Sequence, residues 1–266
     1  WPLCDAVGMG RLLALAFVCH TLGVLLMIFA PGYWVLWSGS LIGGLGNGLI
    51  EAAVNPLIAT VYSDQKTEKL NALHVWFPGG IVIGGLLAYF MTKANLGWQI
   101  KWATILIPTV IYGVLFLGQR FPATERVQSG VSTGAMFKEV LRPLFLVFAF
   151  CMLLTASTEL GPNQWIPDVL NPAVGGLGIV VLVWINGLMA VGRYFAGPIV
   201  HRLSPVGMLI GSSFFAAIGL FLLSSVQSAG MAFVAATIFA VGVCFYWPTM
   251  LGVTSERFPK GGAFLL

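Results

Sequence analysis

The sequence predicts an all-α membrane protein that crosses the bilayer eight times. Hydrophobic residues make up 58% of the 266 residues, charged residues make up only 8%, and the mean hydropathy is +0.94. Soluble domains carry roughly 25% charged residues, and the 13 basic and 9 acidic side chains here are too few to build a charged exterior. The third observation is the spacing of the apolar stretches, since a helix needs about 20 mainly apolar residues to cross the hydrocarbon.

The eight predicted spans follow one another along the chain, with proline and glycine at the joins. At one of these joins, Gly161 and Pro162, we expect a span to break. The spans are predicted near residues 11–31, 36–62, 70–92, 99–119, 143–160, 175–199, 205–226 and 230–254.

The basic residues alternate between the two ends of these spans. If residues 1–10 and 120–142 face the cytoplasm, ten Lys and Arg lie inside, Lys93 and Lys101 lie outside, and Arg193 lies within a span. This positive-inside bias predicts a multi-pass protein of the cell (inner) membrane with the lipid bilayer as its surroundings. The basic residues form no stripe or cluster, so we expect no nucleic-acid partner.

The longest polar interval divides the spans into two groups of four. We therefore predict an N-terminal bundle over 1–119, a cytoplasmic linker over 120–142, and a C-terminal bundle over 143–266 that includes the start of another span. Residues 137–140 form either a short interfacial helix or a solvated connector. Weak similarity between the two groups suggests a parallel repeat, which is typical of transporters that rock two bundles about a central site.

The sequence favours neither enzyme chemistry nor a metal or cofactor site. The four cysteines are scattered without metal-ligand spacing, and no HExxH motif, paired intramembrane aspartates or Ser-His dyad is present. We therefore expect no enzyme, no cofactor and no bound metal.

Glu51 is the leading candidate for a functional residue because it lies near the middle of the second span. A carboxylate at that depth is costly unless it faces a cavity, has a partner or is protonated, and desolvation favours its neutral form. Asn47 and Asn55 lie one helical turn before and after it, so one face carries three polar side chains. We predict proton coupling by Glu51 and solute binding by both asparagines; a buried acid neutralised by a fixed partner is the structural alternative.

Two histidines are candidates of different kinds. His74 begins the third span beside Trp76, where it either relays protons and binds a hydroxylated solute or serves as an interfacial residue. His20 lies mid-span without a polar neighbour in sequence, so a packed neutral histidine is favoured there.

The second half carries a polar group around the expected break at Gly161. Amides bind hydroxyl groups and an indole stacks on a sugar face, so these residues are candidates for a solute site; a solvated Glu159 and a Trp165 at the interface are the alternative. The predicted solute-binding residues of this half are Gln164, Trp165, Asn186 and Tyr246, beside Glu159 and Asn163.

The first residues resemble the loop between helices 2 and 3 of major facilitator transporters, whose pattern is G-x-L-x-D-R-x-G-R-R-x-x-L. Asp5, Gly8 and Arg11 match that pattern, whereas Trp1 and Ala6 depart from it. Residues 192–202, with Arg193 and Arg202, resemble helix 8 and the loop that follows it. The resemblance implies helices 3 to 10 of twelve, with Asp5, Arg11, Arg193 and Arg202 pairing with neighbouring helices to latch the inner gate.

Residues 48–56, with Leu70 and Asn71, resemble the fucose, glucose and galactose symporter branch, whose helix 4 acid takes part in proton coupling. Glu51 occupies that position, whereas His74, Phe77 and Pro78 stand where the branch has sugar-facing groups. The resemblance implies a monomeric, proton-coupled symporter of a small sugar or polyol, with the solute and protons as its partners. A proton-antiport exporter of drugs or metabolites and a non-transporting receptor remain open.

Overall fold

In a computed structural model, which describes residues 2–128, 130–258 and 260, the described part of the chain is helical and contains no strand. Side chains are described in this range except those of residues 2, 3, 125, 126, 133 and 201. The predicted opening of a further span at 261–266, and the departure from the family pattern at Trp1, lie outside the described residues. The helices are α1 (Pro2–Val7), α2 (Met9–Ile28), α3 (Tyr33–Val61), α4 (Lys66–Leu73), α5 (Trp76–Lys93), α6 (Trp98–Ala103), α7 (Leu106–Phe116), α8 (Glu125–Gln128), α9 (Thr133–Val140), α10 (Pro143–Leu170), α11 (Gly178–Tyr194), α12 (Ala196–Leu223), α13 (Ala229–Val243) and α14 (Tyr246–Arg257), with a short 3₁₀ turn at Ser63–Gln65.

The predicted all-α fold with eight spans is confirmed for the described residues. Seven helical runs are long and apolar enough to cross a membrane, and α11 adds a shorter apolar helix. Many large apolar side chains on these helices are exposed, as expected where lipid takes the place of water. The run 133–140 is helical, which agrees with the helical alternative for the segment around 137–140.

The predicted break at Gly161–Pro162 is wrong. Helix α10 continues from Pro143 to Leu170 with Pro162 and Pro167 inside it. Proline removes one backbone hydrogen bond, but in hydrocarbon all other backbone groups still need partners, so continuing the helix costs less than unfolding it. Breaks occur instead at other places, between α4 and α5 at His74 and between α13 and α14 at Cys244. Within α12, Ser204 leaves the helical conformation with φ 60° just before Pro205.

The chain forms two compact units. The first contains the described residues of 1–61, 90–137 and 258–266, and the second contains Tyr62–Tyr89 and Lys138–Arg257. The predicted division into bundles at 119 and 143 stays a prediction.

The first unit is held together by close packing of α2 on α3. A side chain at Gly23 would place its Cβ 2.8 Å from the carbonyl oxygen of Gly39 and 2.7 Å from the amide nitrogen of Gly43. Only glycine allows the two backbones to approach this closely, which is the usual way that membrane helices associate. The glycines that the contact requires are Gly23, Gly39 and Gly46, whereas a Cβ added at Gly43, Gly44 or Gly48 would meet no other atom within 4 Å.

The second unit has its core between α10, α11, α12 and α13. Small residues let α12 and α13 approach, and large apolar side chains such as Ile185, Met189 and Phe239 fill the remaining space. Helix α4 packs on α14, where the Thr67 hydroxyl donates a hydrogen bond to Glu256 Oε1 at 2.8 Å. The buried polar groups of this unit are thus fixed by contacts between helices that lie far apart in sequence.

Candidate functional site

Glu51 lies well inside α3, a helix long enough to cross the hydrocarbon. About 27 Å of helix separate it from Tyr33 and about 15 Å from Val61. Its carboxylate is half-buried, and Oε2 accepts a hydrogen bond from Asn55 Nδ2 at 2.7 Å. Asn55 itself is buried. The predicted polar face therefore exists as a bonded pair one helical turn apart.

Asn47, the third residue of that face, contacts a different partner. Its Oδ1 lies 3.0 Å from His20 Nε2, and His20 Nδ1 lies 2.8 Å from the hydroxyl of Tyr112. Because the amide oxygen only accepts, Nε2 carries the proton and donates to Asn47, and Tyr112 then donates to the other nitrogen of a neutral ring. The network joins α2, α3 and α7.

His20 has no polar neighbour in sequence, and its hydrogen-bond partners come from other helices. A side chain at Gly46 would meet the His20 ring, with Cβ 2.7 Å from Nε2, so Gly46 provides the space for this histidine. Sequence reasoning missed the network since neither Asn47 nor Tyr112 is near His20 in the chain. The available signal was a histidine in an apolar helix, together with glycines in the next one.

The first gating candidates lie at the start of the first unit. Asp5 accepts a short hydrogen bond from the Thr124 hydroxyl, and together with Arg11 it lines a cavity of about 350 Å³. Gly8 between them has φ +90°, a conformation that residues with a side chain rarely adopt, and it precedes the first turn of α2. The glycine of the family pattern is thus required by the backbone.

The second unit contains a buried ion pair between α10 and α11. Arg193 is 1% exposed, and its Nη2 donates to Glu159 Oε1 at 2.7 Å. The same guanidinium donates to the carbonyl oxygens of Cys244 at 2.6 Å and His74 at 3.1 Å. Both carbonyls belong to the C-terminal ends of helices, where backbone oxygens lack helical partners and the dipole is negative. Arg193 therefore donates hydrogen bonds to a backbone carbonyl at each of the two helix breaks and to the Glu159 carboxylate.

Glu159 is buried rather than solvated, and it lies within α10 where it pairs with Arg193. Its Oε2 has no hydrogen-bond partner. One turn later, Asn163 Oδ1 accepts from Asn186 Nδ2 at 2.9 Å, and Asn186 Nδ2 also donates to the Leu182 carbonyl. The structure thus brings Asn186 and Arg193 together with Glu159 and Asn163.

The remaining predicted residues of this half lie elsewhere. Gln164 and Trp165 are exposed on the unbroken α10, with Trp165 65% exposed, and Arg202 is exposed on α12. Tyr246 is buried and lines a mainly apolar cavity of about 480 Å³ between α10, α12 and α14. His74 is buried, and its Nδ1 lies 2.8 Å from the Leu70 carbonyl. Their roles in solute binding and gating stay predictions.

Within the described residues, no three His, Cys, Asp or Glu side chains are grouped so that they could hold a metal ion. The polar groups of the two units are carboxylates, amides, imidazoles and one buried guanidinium. Such groups bind solutes by hydrogen bonding, and carboxylates and imidazoles can also take up protons.

Comparison with known proteins points to membrane transport. The chain is 28% identical over 116 residues to "Probable polyol transporter 6" of Arabidopsis thaliana, a match that covers 42% of this chain and 24% of that protein. It is 25% identical over 186 residues to "Gentisate transporter" of Corynebacterium glutamicum, covering 64% of this chain and 41% of that protein. The chain thus spans less than half the length of these relatives.

The fold is similar to a solved structure, the crystal structure of the transporter FucP in the outward conformation. The TM-score is 0.75 at 13% sequence identity, and the match covers 97% of this chain and 71% of that chain. At this identity the likeness concerns the fold alone. The family model described as Major Facilitator Superfamily matches residues 2–263. With nearly the whole chain matched and the predicted fold confirmed, this protein belongs to the major facilitator superfamily of membrane transporters.

Proposed function

We propose that this protein is a proton-coupled symporter of a small hydroxylated solute, a sugar or polyol, that works by alternating access. The observation that carries the proposal is the Glu51 carboxylate, which lies well inside the apolar helix α3 and is bonded to Asn55. An ionisable group in that place is costly in hydrocarbon and is normally retained for function. The similarity to a relative named as a polyol transporter supports the solute class.

The pair of Glu51 and Asn55 suggests how a proton and a solute are coupled. A hydrogen bond to a carboxylate is roughly twice as strong as one between neutral groups. Protonation of Glu51 therefore weakens the hydrogen bond that it accepts from the Asn55 amide, and this amide becomes available to a solute hydroxyl. Loss of the proton restores the stronger bond and favours release of the solute.

The other predicted residues fit this proposal as supporting groups. Asn47, His74, Gln164, Trp165, Asn186 and Tyr246 are the proposed solute-binding side chains, and Asp5, Arg11, Arg193 and Arg202 are the proposed gating residues. We further propose a monomer in the cell membrane, with residues 1–10 and 120–142 on the cytoplasmic side.

The test is uphill transport by the Glu51→Gln variant in proteoliposomes. Glutamine keeps an oxygen that accepts from Asn55 but does not take up a proton. We expect the variant to exchange labelled solute across the membrane while losing accumulation driven by a proton gradient. Asp168→Asn, which neutralises an exposed carboxylate on α10, is the matched control and is expected to accumulate solute normally. A Glu51→Gln protein that still concentrates solute would remove Glu51 from coupling.

A second solute class, an organic acid, is favoured by one observation: the relative named as a gentisate transporter matches a longer part of this chain than the polyol relative does. Competition for binding between sorbitol and gentisate separates the two classes. The direction of flux under a proton gradient separates symport from antiport export, and binding without flux would indicate a receptor.

A further inference from the structure

Among the described residues of the second unit, four buried side-chain polar atoms have no hydrogen-bond partner. One is Asn71 Oδ1, and the other three lie in a group that we name the Glu159 cluster and define as Glu159, Asn163, Asn186 and Arg193. The atoms are Glu159 Oε2, Asn163 Nδ2 and Asn186 Oδ1. Glu159 is 2% exposed and Asn186 is fully buried. An unsatisfied polar group in the interior costs free energy, and groups left in this way indicate a ligand or an ordered water.

The three atoms belong to one place in the fold. Glu159 and Asn163 are one turn apart on α10 and therefore lie on the same side of that helix. Asn186 on α11 is joined to Asn163 by the hydrogen bond of 2.9 Å. Arg193, on the same side of α11 two turns later, bonds the other oxygen of Glu159. The unpartnered atoms thus all lie where α10 packs against α11.

Rotating the amide groups does not remove the unpartnered atoms. Asn186 Nδ2 donates to the Leu182 carbonyl, which only accepts, so the nitrogen of Asn186 is fixed in its place. Asn163 then has to present its oxygen to that nitrogen. The amide nitrogen of Asn163 and the amide oxygen of Asn186 are therefore left to bind something else.

We propose that the Glu159 cluster is a binding site for hydroxyl groups. Two of the free atoms accept hydrogen bonds and one donates, so the complementary ligand offers two O–H donors and one acceptor oxygen. A single water molecule and a pair of neighbouring hydroxyls on a polyol both have this chemistry. Arg193 acts as a positioning residue, because it orients the carboxylate and neutralises its charge. If the ligand is a solute hydroxyl, the inference rests on the proposed function; if the ligand is water, it does not.

The first experiment compares the thermal stability of the purified full chain with that of an Asn163→Leu/Asn186→Leu variant, without any solute. Replacing both partners of a buried hydrogen bond by apolar groups of similar size is nearly neutral or stabilising when nothing else is bound. If a water fills the site, the variant loses its hydrogen bonds and we expect Tm to fall by about 2 °C or more. Ser157→Ala, which removes an exposed hydroxyl from the same helix, is the control and is expected to leave Tm unchanged.

The second experiment measures equilibrium binding of radiolabelled sorbitol to the same proteins. If solute hydroxyls occupy the site, we expect the double variant to bind sorbitol at least about tenfold more weakly, the loss of roughly one good hydrogen bond. Ser157→Ala should bind as the parent does. A lower Tm with unchanged sorbitol binding assigns the site to water, and weaker sorbitol binding assigns it to the solute.

The inference is overturned if the double variant is as stable as the parent, or more so, and also binds sorbitol equally well. A parent protein that binds no sorbitol contradicts the proposed polyol function instead. In that case the stability comparison alone decides whether a water fills the cluster, and an unchanged or higher Tm overturns the site.

Discussion

The buried guanidinium of Arg193 makes the sharpest prediction. An Arg193→Met substitution keeps the length and apolar stem of the side chain but leaves Glu159 charged and buried without its counter-ion. Removing one partner of a buried ion pair typically costs about 3–5 kcal/mol. The carbonyl oxygens of Cys244 and His74 lose a donor as well. We therefore expect unfolding to become easier by at least about 3 kcal/mol, or roughly 10 °C in Tm.

Two further variants separate charge from packing. Glu159→Gln combined with Arg193→Met removes both charges, so we expect it to recover more than half of the loss. Lys138→Met removes an exposed cation of the same unit. Exposed charges contribute only about 0–1 kcal/mol, so this control is expected to change Tm little.

The assay is thermal unfolding of each purified variant in the same detergent, followed by tryptophan fluorescence and by recovery of the folded peak in gel filtration. The reasoning is refuted if Arg193→Met is no less stable than Lys138→Met. It is refuted also if the double variant is as unstable as Arg193→Met, because the cost would then come from lost packing rather than from an unpaired charge.

Two other predictions concern the first unit. His20→Leu leaves Tyr112 and Asn47 without their shared partner and is expected to lower the unfolding free energy by about 1–3 kcal/mol. His20→Gln keeps a hydrogen-bond donor for Asn47 and is expected to cost less. Equal losses of stability in thermal unfolding would contradict the network. Burial, with a smaller contribution from the charge of Asp5, raises the pKa of the Cys4 thiol to about 11. Since the thiolate is the reactive form, Cys4 is expected to resist maleimide at pH 7–8 until the protein unfolds. Rapid maleimide labelling of Cys4 in the folded protein, seen by mass spectrometry, would contradict this expectation. The contribution of the buried Cys4 thiol to folding stability is complete below pH 9 and is lost as pH rises towards 11.

The sequence predicted those parts of the site that depend on one helix. The pairing of Glu51 with Asn55 follows from their separation by one turn. The number of spans follows from the length of apolar sequence that hydrocarbon requires. Each of these results depends on local geometry, which is the same wherever the helix lies.

The predicted break at Gly161 is wrong because it was inferred from the behaviour of glycine and proline in water. Glycine and proline favour a break in water, where freed backbone groups bind solvent. In a membrane helix the surrounding backbone still needs its internal hydrogen bonds, and α10 passes through both prolines.

The amino-acid sequence alone therefore determined that this chain is a bundle of membrane helices and which polar residues lie within those helices. Only the tertiary structure decided their partners: Tyr112 and Asn47 for His20, two helix ends and Glu159 for Arg193, and Asn163 for Asn186. The physical reason is that the register and rotation of one helix against another are set by side-chain packing along the whole contact. A change of one residue in that register would turn a different side chain towards each of these polar groups.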